Sequence, residues 1–178
     1  GEIIERRGEQ PYTEFVKEKV LDPLGLTNLI VGMSEEQSKR ALDVAHSGDP
    51  LTSEDYAKMG IPEPPITEVT EEALLNFNRA EIRAVGVPGG GGYANAHDLA
   101  LFYQALLYGG LGSEQIWSEE TLGLARKVRS GELRDPLFGQ LANRGLGIII
   151  SGDENRNFRG FGKTNSPSAF GHNGAGGQ

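Results

Sequence analysis

Apolar residues recur along this chain in short patches, and their spacing is helical over most of its length and extended near its end. The clearest patch is Leu99, Phe102, Tyr103, Leu106 and Leu107, at positions i, i+3, i+4, i+7 and i+8 of one helix face. Asn95 stands where an N-cap belongs and Asp98 three residues later favours the positive helix end, while Gly109 and Gly110 stop the helix. Gly89 to Gly92 just before it predict a tight turn with close backbone approach.

Upstream, Ile3 and Ile4 are expected to face a core, with Gly8 at the residue past the helix end. Pro11 opens a second helix whose inner positions are Tyr12, Phe15, Val16, Lys19 and Val20, and Asp22-Pro23-Leu24-Gly25-Leu26 ends it. Ser34-Glu35-Glu36-Gln37 has capping-box form and predicts a short polar helix to about Ala41. Residues Asp43 to Glu68, rich in Pro, Asp and Ser, read as a long surface excursion. A helical segment follows near Glu71–Phe77, and Ser118-Glu119-Glu120 caps a helix bearing Leu122, Leu124, Ala125 and Val128. Leu133 to Asn143 carries no clear pattern.

Leu146-Gly147-Ile148-Ile149-Ile150 predicts a strand, and Ala169-Phe170-Gly171-His172 a second one beyond a polar connection. These patterns predict an α+β fold: one partial domain over residues 1–178, with helices and loops in 1–145 and strands in 146–178. Gly1 to Arg7 reads as the later part of a helix, and Gln178 follows an element under way. Both ends suggest a piece of a longer protein.

Composition narrows the function classes. A net charge of −8 without a dense basic patch argues against nucleic acid or an anionic membrane as partner. The absence of cysteine excludes disulfides and thiolate metal sites but leaves the compartment open. No apolar run approaches the length of a membrane span. A sheet edge left without partner strands would favour homo-association.

The chemistry-bearing residues are sparse. His46, His97 and His172 are too dispersed for a local metal site, and no His-Glu-x-x-His pair occurs. There is no Gly-x-Ser-x-Gly elbow, and no serine is followed by lysine three positions on, so no activated nucleophile is visible. Glu35/Glu36, Glu71/Glu72 and Glu119/Glu120 lie at helix starts, where the helix dipole explains them. The glycine run lacks the Lys-Ser/Thr pair of a phosphate loop. Phe170-Gly171-His172-Asn173-Gly174-Ala175-Gly176-Gly177 stands apart: a histidine and an amide precede small residues at a strand edge that a ligand could approach. The pattern alone fits this reading and a solvated Gly-rich turn equally well.

Several of these stretches, in order, resemble the serine β-lactamase-like family, which includes class C β-lactamases, related esterases, D-aminopeptidases and penicillin-binding-protein relatives. Gly1 to Arg6, Pro11-Tyr12-Thr13-Glu14-Phe15-Val16 and Pro23-Leu24-Gly25-Leu26 resemble the family's helix pair and the turn after it. Pro88 to Tyr93 and Asp98-Leu99-Ala100 resemble its glycine turn and following helix, and Phe170 to Gly177 its third active-site motif in a His-x-Gly form. The resemblance implies a serine hydrolase that works through an acyl-enzyme, without a metal or organic cofactor, on a small ester, amide or lactam. It implies that His172 takes the place of the motif's Lys or His, Asn173 that of Thr, and that Gly174 gives close backbone approach to substrate. Ala175 then matches the position whose N–H completes the oxyanion hole. His172 in place of lysine favours an esterase or peptidase over antibiotic degradation. The family's Ser-x-x-Lys and tyrosine motifs would lie before Gly1, so this stretch would supply the third motif and no nucleophile. A non-catalytic relative serving as a binding module is the alternative. Two look-alikes are set aside: Tyr93-Ala94-Asn95 lies in the glycine turn, and Lys163-Thr164-Asn165 lacks the final glycine.

Overall fold

The computed structural model describes residues 1–60, 62–63, 70–136, 139–152 and 154–174. Eight α-helices and three antiparallel strand pairs are formed among the described residues, an α+β arrangement. The chain divides into two compact units, Gly1–Ala45 with Glu72–Leu122, and His46–Glu71 with Gly123–Gln178.

In the first unit, α1 (Glu2–Gly8) and α2 (Tyr12–Val16) are followed by a π-helical turn, Lys17–Leu21. That turn ends just before Pro23, which has no N–H to continue a ladder. Leu21, Leu24 and Leu26 are buried here against Ala105, with Val16, Val20, Phe102 and Trp117 packed around them. The glycine at position 8 differs from expectation. It lies inside α1, Glu9 takes the left-handed cap with φ 55°, and a Cβ on Gly8 would come within 2.6 Å of the Phe15 ring. Gly8 therefore serves helix packing rather than helix termination. Ile3 faces solvent, because α1 turns its Ile4 side inward.

The glycine run makes the expected tight turn. Gly89 has φ 87°, and any side chain on Gly91 would strike the Val87 nitrogen at 2.3 Å. The turn feeds β2 (Gly92–Tyr93), paired antiparallel with β1 (Ile30–Val31). Helix α7 (Ala96–Tyr108) then starts at Asn95, whose Oδ1 accepts the Asp98 N–H at 2.8 Å, and ends at Gly109 with φ 91°. Its inner face is rotated from the one the apolar spacing predicts. Ala105 and Asp98 are buried while Leu99 and Leu107 remain exposed. Asp98 turns inward because its Oδ2 accepts the Asn28 N–H at 2.7 Å, tying the segment after Leu26 to the helix start. A hairpin of β3 (Gly110–Leu111) and β4 (Glu114–Gln115) follows.

Arg83, on α6 (Ala80–Val85), is the polar centre of this unit. Only 3% exposed, it donates to the carbonyls of Phe77, Ser38 and Leu42 and to the Asp43 carboxylate, and its guanidinium lies over the Tyr93 ring. Nearby α3 (Glu35–Arg40) starts with the expected Ser34/Gln37 capping box, and α5 (Glu71–Leu75) leads into a 3-10 turn, Asn76–Asn78.

In the second unit the long excursion contains a helix that composition hid, α4 (Ser53–Met59), with a Thr52/Asp55 capping box and Gly60 at its left-handed end. The predicted strand over 146–150 shrinks to β5 (Ile149–Ile150), since Gly147 at φ 70° bends the chain and Gly145 donates to the Ile148 carbonyl. It pairs antiparallel with β6 (Phe170–Gly171), Ile149 opposite Gly171 and Ile150 opposite Phe170. Helix α8, Glu119–Arg126, begins in the first unit with Ser118 Oγ accepting the Thr121 N–H, and its residues from Gly123 on belong to the second.

Candidate active site

The third-motif candidate leaves the sheet directly after β6. Gly171 is the last strand residue, and His172, Asn173 and Gly174 continue from it exposed to solvent. Ala175 lies outside the described residues. The other two histidines are exposed and remote in sequence, His97 in the first turn of α7 and His46 before α4.

The backbone pairing explains what surrounds His172. Arg144 forms an isolated antiparallel bridge with Ile149, and Ile149 pairs with Gly171, so Arg144 and Gly171 flank Ile149 on its two sides. Arg144 Nη1 lies 3.2 Å from His172 Nε2, and Nη2 lies 3.8 Å from Asp135 Oδ2. The other ring nitrogen, Nδ1, is 2.6 Å from the Asn173 carbonyl oxygen. Asp135, Arg144, Ile149, Phe158 and Asn173 are among the residues lining one pocket here.

Arg159 builds the floor of this region. It donates to the Ser151 carbonyl at 2.6 and 2.9 Å, to the Leu141 carbonyl at 3.0 Å and to the Glu154 carbonyl. Burial, with the Arg156 charge beside it, holds its pKa below the ordinary arginine value. Its donors are largely committed to backbone, which makes it a brace rather than a binding group.

Sequence reasoning missed Arg144 and Asp135. Position 144 is 28 residues from His172 and directly follows a stretch without apolar pattern, and the shared pairing partner Ile149 brings the two together. Both look-alikes are occupied otherwise. Tyr93 donates its hydroxyl to the Phe77 carbonyl and Asn95 caps α7, while Lys163 to Asn165 form a turn in which Asn165 Nδ2 donates to the Phe161 carbonyl at 2.6 Å. Among the described residues, no group of three or more His, Cys, Asp or Glu side chains is arranged to hold a metal ion, and no helix is long and apolar enough to cross a membrane.

Comparison with known proteins places this arrangement. The family model described as Beta-lactamase matches residues 1–178. The chain is 28% identical over 176 residues to a protein named "Putative D-alanyl-D-alanine carboxypeptidase" from Escherichia coli O157:H7, covering 98% of this chain and 37% of that one. Among solved structures it is similar to EstA from Arthrobacter nitroguajacolicus Rue61a, with a TM-score of 0.64 and 24% identity over 96% of this chain and 44% of the other. The chain thus spans less than half the length of either relative, and the likeness to EstA is one of fold. With the family model matched from the first residue to the last, the chain belongs to the beta-lactamase family.

Proposed function

We propose that this chain is part of a serine hydrolase that acts on a small ester, amide or lactam through an acyl-enzyme. In this reading it contributes the third active-site motif, His172-Asn173-Gly174-Ala175, and the nucleophile comes from elsewhere in a longer protein. The observation that carries the reading is the family match along the whole chain, with the motif following directly on a paired strand. His172 supplies a polar group beside the acyl site, Asn173 and Gly174 line the approach of the substrate, and the Ala175 N–H donates to the oxyanion. A preorganised donor of that kind is worth roughly 3–4 kcal/mol in an acyl-transfer transition state. The name of the related putative D-alanyl-D-alanine carboxypeptidase, together with histidine in the lysine place, favours ester or peptide substrates over antibiotics.

Within residues 1–178 no serine precedes a lysine by three positions. The test is covalent trapping: the longer protein carrying this stretch is treated with an activated ester and with a fluorescent penicillin, and the modified peptide is located by mass spectrometry. The reading expects a single acylated serine in a Ser-x-x-Lys sequence outside these residues. Saturable substrate binding with no acylated residue would instead identify a non-catalytic binding module.

A further inference from the structure

The side chain that bears most directly on the motif is one that neither the family pattern nor the sequence singled out. Arg144 is held through its backbone as well as its head group. Its N–H donates to Ser130 Oγ at 3.0 Å, its carbonyl accepts the Arg129 N–H at 2.8 Å, and it is bridged to Ile149. Backbone pairing therefore fixes Arg144 beside Ile149, and from there its half-exposed side chain reaches His172 and Asp135.

The chemistry of that contact has one solution. A guanidinium carries five N–H donors, no acceptor, and stays charged throughout the working pH range. At 3.2 Å from Arg144 Nη1, His172 Nε2 must present its lone pair, so that nitrogen carries no proton. Nδ1 then bears the ring proton and donates it to the Asn173 carbonyl at 2.6 Å. Each bond selects the same tautomer, as the partner of one ring nitrogen sets the state of the other.

We propose that Arg144 is a positioning residue for His172, holding the ring as the neutral Nδ1–H tautomer at the end of β6, with Asp135 steering the guanidinium. While Arg144 is seated, His172 offers no Nε2 proton to a substrate, and the permanent positive charge beside the motif belongs to Arg144. The inference deepens the reading above and rests on it for its bearing on catalysis. The tautomer itself can be observed without any reaction.

The test uses long-range proton–nitrogen correlation spectra of the imidazoles in the 178-residue chain, recorded well above the ordinary histidine pKa of about 6.5. His172→Gln assigns the signal, and His46 and His97 serve as internal references. The expected result is a pyridine-like Nε2 and a pyrrole-like Nδ1 for His172. Arg144→Met should move the ring toward the Nε2–H form of a solvated neutral histidine, Asp135→Asn should move it part of the way, and Arg144→Lys should largely preserve the original form. Backbone amide spectra verify that each variant is folded. A wild-type His172 already in the Nε2–H form overturns the proposal whatever the variants do, and so does an unchanged tautomer in folded Arg144→Met. A protein that never acylates yet shows the Nδ1–H form supports the Arg144 role while overturning the hydrolase reading.

Discussion

Replacing Arg83 should damage the first unit more than any other single truncation of a polar residue in it. Its guanidinium is 3% exposed and reaches the Phe77 carbonyl at 2.9 Å, the Ser38 carbonyl at 3.0 Å, the Leu42 carbonyl at 3.2 Å and Asp43 Oδ1 at 2.8 Å. Asp43 itself is 72% exposed, so the ion pair is screened and most of the effect comes from the three carbonyls and the Tyr93 ring. Arg83→Ala leaves those acceptors without their donor and opens a void beneath Tyr93. Leaving one buried acceptor unsatisfied costs about 1–3 kcal/mol, so three carbonyls losing their shared donor should together cost about 3–5 kcal/mol. Arg83→Lys keeps the charge but cannot span all four partners, and should cost about 1.5–3 kcal/mol, the worth of one hydrogen bond to a charged group. Burial alone would lower the Arg83 pKa, but Tyr93 and Asp43 outweigh it and raise the value above the ordinary arginine one. A raised pKa means stability present below the unfolded value and lost only above it, so this contribution should be flat with pH across the neutral range. Trp117, the single tryptophan, packs on the core of the same unit, so its fluorescence in a urea titration reports the loss. A loss below about 1 kcal/mol for folded Arg83→Ala would refute this account, since that is the level of a single neutral hydrogen bond.

Gly8→Ala would ordinarily strengthen a helix by about 1 kcal/mol. With the Phe15 ring 2.6 Å from the added carbon, overpacking of roughly 1–3 kcal/mol should win, and a thermal melt above wild type would contradict it. Burial first, then the Glu5 carboxylate, raise the Tyr12 phenol above its ordinary value, and its hydroxyl donates to the Gly86 carbonyl. The folded state therefore keeps that proton longer than the unfolded chain, so stability present below pH about 10 should fall as pH rises through the folded pKa. Urea midpoints across that range should fall more steeply for wild type than for Tyr12→Phe; parallel curves would contradict the assignment. The 178-residue chain by itself should hydrolyse neither nitrocefin nor p-nitrophenyl esters, having no Ser-x-x-Lys; turnover abolished by mutating one of its serines would reverse that.

What the sequence made legible was mostly local. Asn95, Ser34 and Ser118 each start a helix where their spacing to the next polar residue predicts, because a cap is satisfied within three residues of itself. The α4 helix was equally local, with Thr52 and Asp55 in capping-box positions, but the surrounding Pro and Asp masked it. Long-range choices were harder to read. The inward-facing Asp98 accepts the Asn28 N–H, 70 residues away, on the face of α7 that buries Ala105, while Leu99 and Leu107 face out. Strand length at 146–150 was overestimated because apolar content does not reveal the left-handed bend at Gly147. At the candidate site, the pattern marked His172, Asn173 and Gly174 only as a strand-end stretch a ligand could approach, and their roles came from the family resemblance. Arg144 was not marked at all, since nothing in its neighbourhood anticipates a bridge to Ile149.

The central claim is that the motif at the end of β6 is the one that meets the substrate. It is tested most directly by the acylation rate of the longer protein with an activated ester, comparing Gly174→Val with Lys163→Ala and Asn165→Ala. A Cβ-branched side chain at 174 should occupy the space of the approaching acyl group, so Gly174→Val should acylate far more slowly than wild type while melting at nearly the same temperature. Lys163 and Asn165 lie in a turn, and their alanine variants should acylate normally. Wild-type acylation by Gly174→Val, together with its loss in Lys163→Ala or Asn165→Ala, would put the active-site segment earlier in the chain and contradict the account.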